Sequence, residues 1–182
     1  PSPMAMRRDP MMAVAQIFPG VYAIAEEHAP QSRATIGYVH AEPGSPNTVP
    51  GEVVFTLDIR HPVAADYHQM QAAVEALVAT SCDNLDLSYE LKRVWEAPGV
   101  SFDDSCINSV RRATQQFEYP VMELVSGAGH DACNIAAVAP ISMIFVPCKD
   151  GLSHNEAESI EPEQAEAGAN ILLHAMLDSA NE

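Results

Sequence analysis

The chain has 182 residues, is 47% hydrophobic and 19% charged, and carries a formal net charge of −16. That length holds one ordinary domain or two small ones, and the apolar content is globular rather than disordered. The acidity argues against a nucleic-acid partner, whose phosphates need a basic surface, and the apolar runs are too short for a membrane span.

Four cysteines, Cys82, Cys106, Cys133 and Cys148, are scattered with no CxxC pair. They read as reduced thiols of a cytoplasmic protein rather than as a zinc site. No Lys or Arg follows Lys149. Positive charge for an anionic ligand must therefore come from Arg7, Arg8, Arg33, Arg60, Arg93, Arg111 or Arg112. The start, Pro1-Ser2-Pro3-Met4, is of the kind expected of a piece cut from inside a longer chain.

Asp9-Pro10 predicts a helix start, with Asp as cap and Pro at the first helical position. The apolar stretch Met11 to Ala25 continues it, with Pro19-Gly20 expected to kink or split the helix. Ala34 to His40 reads as a strand, and Pro43-Gly44-Ser45-Pro46 and Pro50-Gly51 as turn signals. Glu52 to Arg60 alternates, with Val53, Phe55, Leu57 and Ile59 on one face and Val54, Thr56, Asp58 and Arg60 on the other. From Ala64 to Ala79 the period becomes helical, with Met70, Val74, Leu77 and Val78 on one stripe. Leu85, Leu87, Tyr89 and Leu91 alternate again and predict a third strand. The order implies a small α+β sandwich, an antiparallel sheet with two helices on one face. Asn47 and Arg60 are expected near each other on the sheet's exposed side.

Glu96-Ala97-Pro98-Gly99 is the clearest boundary, dividing residues 1–97 from 98–182. Beyond it, Asp103-Asp104 opens a helix carrying Ile107, Val110, Thr114 and Phe117. Val121 to Val125 reads as a short strand and Asp131 to Val138 as a short helix. Ile141 to Val146 is apolar without alternation, as for a strand covered on both faces. Pro162 opens a last helix reaching about Leu177. This half reads as βαβα, part of a parallel α/β layer, and two strands are too few to stand alone.

Three features carry chemistry. Ser126-Gly127-Ala128-Gly129-His130-Asp131-Ala132 lies between a predicted strand and helix, where open α/β sheets place ligands; it is equally the pattern of a plain turn. Gly151 to Glu158 places His154 beside carboxylates, as a metal ligand or as part of a solvated loop. Arg60 offers a planar fork to a carboxylate, and Asn47 can donate and accept. The alternative for Arg60 is a surface ion pair with Asp58 or Asp66.

Read together, five segments are more specific: Pro3-Met4-Ala5-Met6-Arg7-Arg8-Asp9, Asn47-Thr48-Val49-Pro50-Gly51, Asp58-Ile59-Arg60-His61-Pro62, Ser126 to Ala132, and Met143 to Pro147 running on to Ser153-His154-Asn155-Glu156. In this order they resemble N-carbamoyl-L-amino-acid hydrolases, allantoate amidohydrolases and β-ureidopropionases, of the two-metal aminoacylase and carboxypeptidase superfamily. The resemblance implies that residues 1–97 form a lid and dimerisation domain and residues 98–182 the closing segment of a catalytic domain. It implies Asn47 and Arg60 as holders of the substrate carboxylate, Gly129 as a backbone contact, His130 as a neighbour of the substrate and His154 as a metal ligand.

The same resemblance implies two zinc or manganese ions in the complete enzyme, activating a water that attacks the ureido carbonyl. The other metal ligands and the catalytic Glu of that family precede the lid and have no counterpart here, as does the lid's substrate-binding His. The chain is therefore expected to hold no catalytic residue, to bind no metal stably, to be inactive alone, and to form a homodimer through the lid. Two other readings are a lid-type dimerisation or ligand-binding module without catalysis, and a peptidase or aminoacylase of the same superfamily. The Gly-Ala-Gly-His-Asp segment disfavours the latter, since those relatives carry a Gly-Gly-Thr/Ser-Asp pattern.

Overall fold

The computed structural model describes residues 3–181; the Pro1-Ser2 start lies outside the described residues. The chain divides into two compact units, Pro1–Gly99 and Val100–Glu182.

In the first unit, α1 (Pro10–Glu27) begins where Asp9 accepts a hydrogen bond from the Met11 amide at 3.0 Å. That bond satisfies one of the four unpaired amides of a helix start. β1 (Arg33–Glu42) and β2 (Glu52–Arg60) form an antiparallel hairpin, and α2 (Ala64–Asp83) follows. Both helices cover one face of the hairpin. Ala13, Ile17 and Val21 of α1 meet Val74, Val78 and Cys82 of α2, and Ala34, Phe55, Leu57 and Ile59 of the strands pack against them. The alternation read along β2 is therefore the alternation observed.

Pro19 neither splits α1 nor ends it: the helix runs unbroken through it. Packing offsets the lost amide bond. Gly20 next to it has no side chain, and a Cβ there would lie 2.6 Å from Leu77 Cδ2, so α2 packs directly on the α1 backbone. One residue of β1, Gly37, has no partner in the ladder: Ile36 pairs with Leu57 and Tyr38 with Thr56. This bulge re-phases the strand.

The predicted third strand is absent among the described residues. Residues 84–86 form a turn, with Asp86 left-handed at φ 52°, and residues 87–96 join no ladder, although Leu85 and Leu87 do pack on the core. Alternation specifies which face is buried, and a strand needs in addition a partner for its amides and carbonyls.

The second unit holds α3 (Asp104–Gln116), a short α4 (Asp131–Ile135) and α5 (Pro162–Ala180). Asp103 caps α3, accepting from the Ser105 and Cys106 amides at 2.9 and 3.2 Å. Glu161 and Gln164 form a reciprocal capping box at the start of α5, with Pro162 at the first position. α3 and α5 pack through small side chains, with Ala113, Ile171 and Ala175 buried and Val110, Tyr119 and Ile144 against them. Phe117 stands edge-on to His174, ring centroids 4.8 Å apart.

The βαβα reading is corrected here. Val121 to Val125 and Ile141 to Val146 lie in no sheet among the described residues. Ile141 to Val146 still runs where a covered strand would: the Asp103 amide donates to the Ile141 carbonyl at 3.0 Å. A Cβ on Gly168 of α5 would lie 2.7 Å from Val146 Cγ1. With no second strand beside it, the segment has helix contacts and no ladder. Val121, Met122, Leu124 and Val125 are all exposed.

Two ion pairs tie this unit together. Arg111 forks Glu123 at 2.5 and 2.8 Å, and Arg112 of α3 reaches Asp178 of α5. Each arginine holds its carboxyl below the usual range, and hydrogen bonds from Ser105 and the Cys106 amide do the same for Asp103. A depressed folded-state pKa contributes stability that is present above the unfolded value of about 4 and lost as pH falls through the lower folded value. Urea unfolding followed by α-helical circular dichroism should show a lower midpoint at pH 3 than at pH 6. Asp178→Asn should narrow that gap by lowering the pH 6 midpoint.

Candidate functional site

On the first unit, the sheet face away from the helices carries Arg60. Ile59 points into the core, so strand alternation sends Arg60 outward, where its side chain is 49% exposed. Its guanidinium forks Asp58, Nε to Oδ1 at 2.6 Å and Nη2 to Oδ2 at 2.8 Å. That is the surface-pair alternative, and it leaves a charged, oriented fork on an open face. The hydrogen bond that Arg60 donates to Asp58 raises the Arg60 pKa above its ordinary value, so the group is cationic at every working pH.

Asn47 is exposed in the connection between the strands, where its Oδ1 accepts from Ser45 Oγ at 3.0 Å. The expected closeness of Asn47 and Arg60 is corrected by the register. Glu42 pairs with Glu52 at the end that holds Asn47, and Arg33 pairs with Arg60 at the other. The strand from Glu52 to Arg60 is about 26 Å long at a rise of about 3.3 Å per residue.

On the second unit, His130 precedes α4 and is half-buried. Ser126 fixes it: His130 Nε2 lies 3.0 Å from Ser126 Oγ, which itself accepts from the Ala128 amide at 3.2 Å. The imidazole stands edge-on to Phe145, centroids 5.7 Å apart. A serine four residues before a histidine across two glycines was the available signal for this bond. Nothing in the sequence pointed to Phe145 as the ring beneath it. Gly127 and Gly129 are exposed, and a Cβ on either would meet nothing within 4 Å. No internal packing at either position therefore demands glycine.

His154 sits in a loop with three left-handed residues, Asp150 at φ 56°, Gly151 at 67° and His154 at 57°. A histidine there is uncommon and points to a local function. Its amide donates to Glu158 Oε2 at 2.8 Å, which closes the loop and leaves the imidazole exposed. Among the described residues no three His, Cys, Asp or Glu side chains gather into a set that could hold a metal ion. His154 alone falls short of the four ligands zinc takes. All four cysteines are free thiols. Among the described residues no helix is long and apolar enough to cross a membrane.

Residues 12–178 match the model of peptidase family M20/M25/M40, and the chain belongs to that family. It is 44% identical over 179 residues to an N-carbamoyl-L-amino-acid amidohydrolase of Rhizobium meliloti, covering 98% of this chain and 43% of that protein. It is 30% identical to an allantoate amidohydrolase of Bacillus subtilis, over 93% of this chain and 41% of that one. A crystal structure of a hydantoinase/carbamoylase family amidase from Burkholderia multivorans superposes with a TM-score of 0.93 at 47% identity, covering 100% of this chain and 44% of that chain. The chain thus spans about two fifths of the length of the proteins it matches.

The exposed fork and the open glycines make separable demands. Asp58→Asn should leave the urea unfolding midpoint nearly unchanged, since an exposed pair contributes only ~0–1 kcal/mol. It should nevertheless speed solvent exchange of the Arg60 Nε–H, read by NMR. Gly129→Ala should be neutral for stability, because no atom lies where its methyl would go.

Proposed function

We propose that this chain supplies the lid and the closing catalytic segment of an amidohydrolase that cleaves the C–N bond of ureido compounds, N-carbamoyl amino acids or allantoate. In that reaction water adds to the ureido carbonyl and one C–N bond breaks, releasing ammonia and leaving a carbamic acid; its remaining C–N bond then breaks, releasing carbon dioxide and the free amine. The observation that carries the reading is the likeness to the Rhizobium meliloti enzyme along 98% of the chain.

In this reading Pro1–Gly99 is the lid and Val100–Glu182 the catalytic segment. Arg60 anchors the substrate carboxylate by its planar fork, exchanging Asp58 for the ligand, and so fixes where the ureido group lies. Gly129 offers its amide to the substrate, and His130, held by Ser126, donates or accepts beside it. His154 is the one side chain offered to a divalent metal ion. The donor set present here does not fit such an ion, so no step is routed through one.

The lid also makes the homodimer. A two-stranded sheet leaves edge groups that need cover or a partner, and a two-fold interface lets one patch complement itself. Asn47 and Arg60 stand at opposite ends of the hairpin. A small substrate touching both therefore takes them from two subunits.

Three measurements test this. The 182-residue chain should release no ammonia from N-carbamoyl amino acids or allantoate, with or without zinc or manganese; release abolished by His154→Ala would refute the fragment reading. In the complete enzyme, Arg60→Ala should raise KM for an N-carbamoyl amino acid about 10–100-fold, the loss of charge-assisted bonds worth ~1.5–3 kcal/mol. Light scattering should give one sharp dimer species, and a concentration-independent monomer would defeat the dimer.

A further inference from the structure

The cross-strand partner of Arg60 is Arg33. Directly opposed residues of an antiparallel pair share a face, with Cα atoms roughly 4.5–5.5 Å apart, and like charges placed so repel. Their neighbours Ala34 and Ile59 form the next pair and pack into the core, so both arginines face outward. The next outward pair is Thr35 with Asp58, which places a single carboxylate beside two guanidinium groups. The chain has only 9 Lys and Arg against 25 Asp and Glu, and two of its cations oppose each other here.

Arg33 is also held in place. Its Nη1 donates to the Pro30 and Ser32 carbonyls at 2.8 and 2.6 Å. The segment carrying those carbonyls is pinned in turn, because the buried Ser32 hydroxyl donates to the Ala25 carbonyl near the end of α1. Its Nε and Nη2 have no partner among the described residues. A guanidinium fixed by one nitrogen offers the others with little further loss of rotamer freedom.

We propose that Arg33 and Arg60 form a paired carboxylate site for a ligand with two carboxylates. Resting on the function proposed above, this names the substrate class as N-carbamoyl amino acids with an acidic side chain. Arg60 takes the α-carboxylate and Arg33 the second. The ligand's second carboxylate adds counter-charge to the opposed pair, which relieves the cross-strand repulsion.

The test uses the full chain at low ionic strength, with N-carbamoyl-L-aspartate, N-carbamoyl-L-alanine and inorganic phosphate titrated against arginine Nε–H and backbone amide NMR signals. The aspartate compound should bind about tenfold more tightly than the alanine compound, the increment of one charge-assisted contact. Arg33→Gln should bring that ratio to about one, and Arg60→Gln should weaken both. Without ligand, Arg33→Gln should keep a cooperative urea transition, which confirms folding.

A ratio near one in the parent, a ratio that survives Arg33→Gln, phosphate binding as tight as the aspartate compound, or no shift with any probe would each overturn the proposal. An Arg33-dependent ratio together with no ammonia release from either compound by the complete enzyme would leave the paired site standing and sink the ureido reading. Turnover of both compounds with no Arg33 effect would do the reverse.

Discussion

A hairpin of two strands does not hold together in water on its own. β1 and β2 keep their register only while Ala34, Phe55, Leu57 and Ile59 remain covered by α1 and α2. The remaining features of the first unit follow from that burial. With one face committed to the helices, each outward side chain is set by parity: Arg60 because Ile59 is inward, Arg33 because Ala34 is. A slip of one residue would send both guanidinium groups into an apolar layer that cannot solvate them. Helix packing thus positions a charged surface it never touches.

The second unit solves a different problem. Its buried layer is thin, built from Ala113, Ile171 and Ala175, and polar ties at the surface supplement it. Arg112 to Asp178 and Arg111 to Glu123 join segments far apart in sequence. Exposed Val121, Met122, Val138 and Met176 are apolar surface that the unit does not cover itself. The turn at 126–130 and the loop around His154 depend on short-range bonds, from Ser126 and from Glu158. Their geometry is therefore set locally, by residues within four positions of each histidine.

What was legible in the sequence was whatever depends on period and caps. β2 appears with the bounds its alternation marks, and α2, α3 and α5 begin at Ala64, Asp104 and Pro162, where their start signals lie. What was not legible depends on partners. Residues 85–91 alternate and bury Leu85 and Leu87, yet make no ladder. Ile141 to Val146 is apolar and packed, yet unpaired. Pro19 is a breaker by its own chemistry and is overruled by Leu77 seated on Gly20. At the site, the Arg60 fork was one of two readings, and spacing could not choose between Asp58 and Asp66. The distance from Asn47 to Arg60 was misjudged because a connection of residues 43–50 looks short in sequence, whereas the full hairpin lies between them.

The bulge at Gly37 has a consequence for how this chain tolerates change in length. Ala34 and Ile36 face the helices on one side of it, and Ala41 on the other, so the inward positions switch from even to odd numbers. Removing Gly37 alone would join Ile36 to Tyr38 as ordinary neighbours and keep every other pairing intact. Removing a residue far from Gly37, with the bulge kept, would transpose the two faces on one side of the gap. Gly37 is thus the strand's expansion joint, a place where evolution or a protein engineer can delete a codon without turning the sheet inside out.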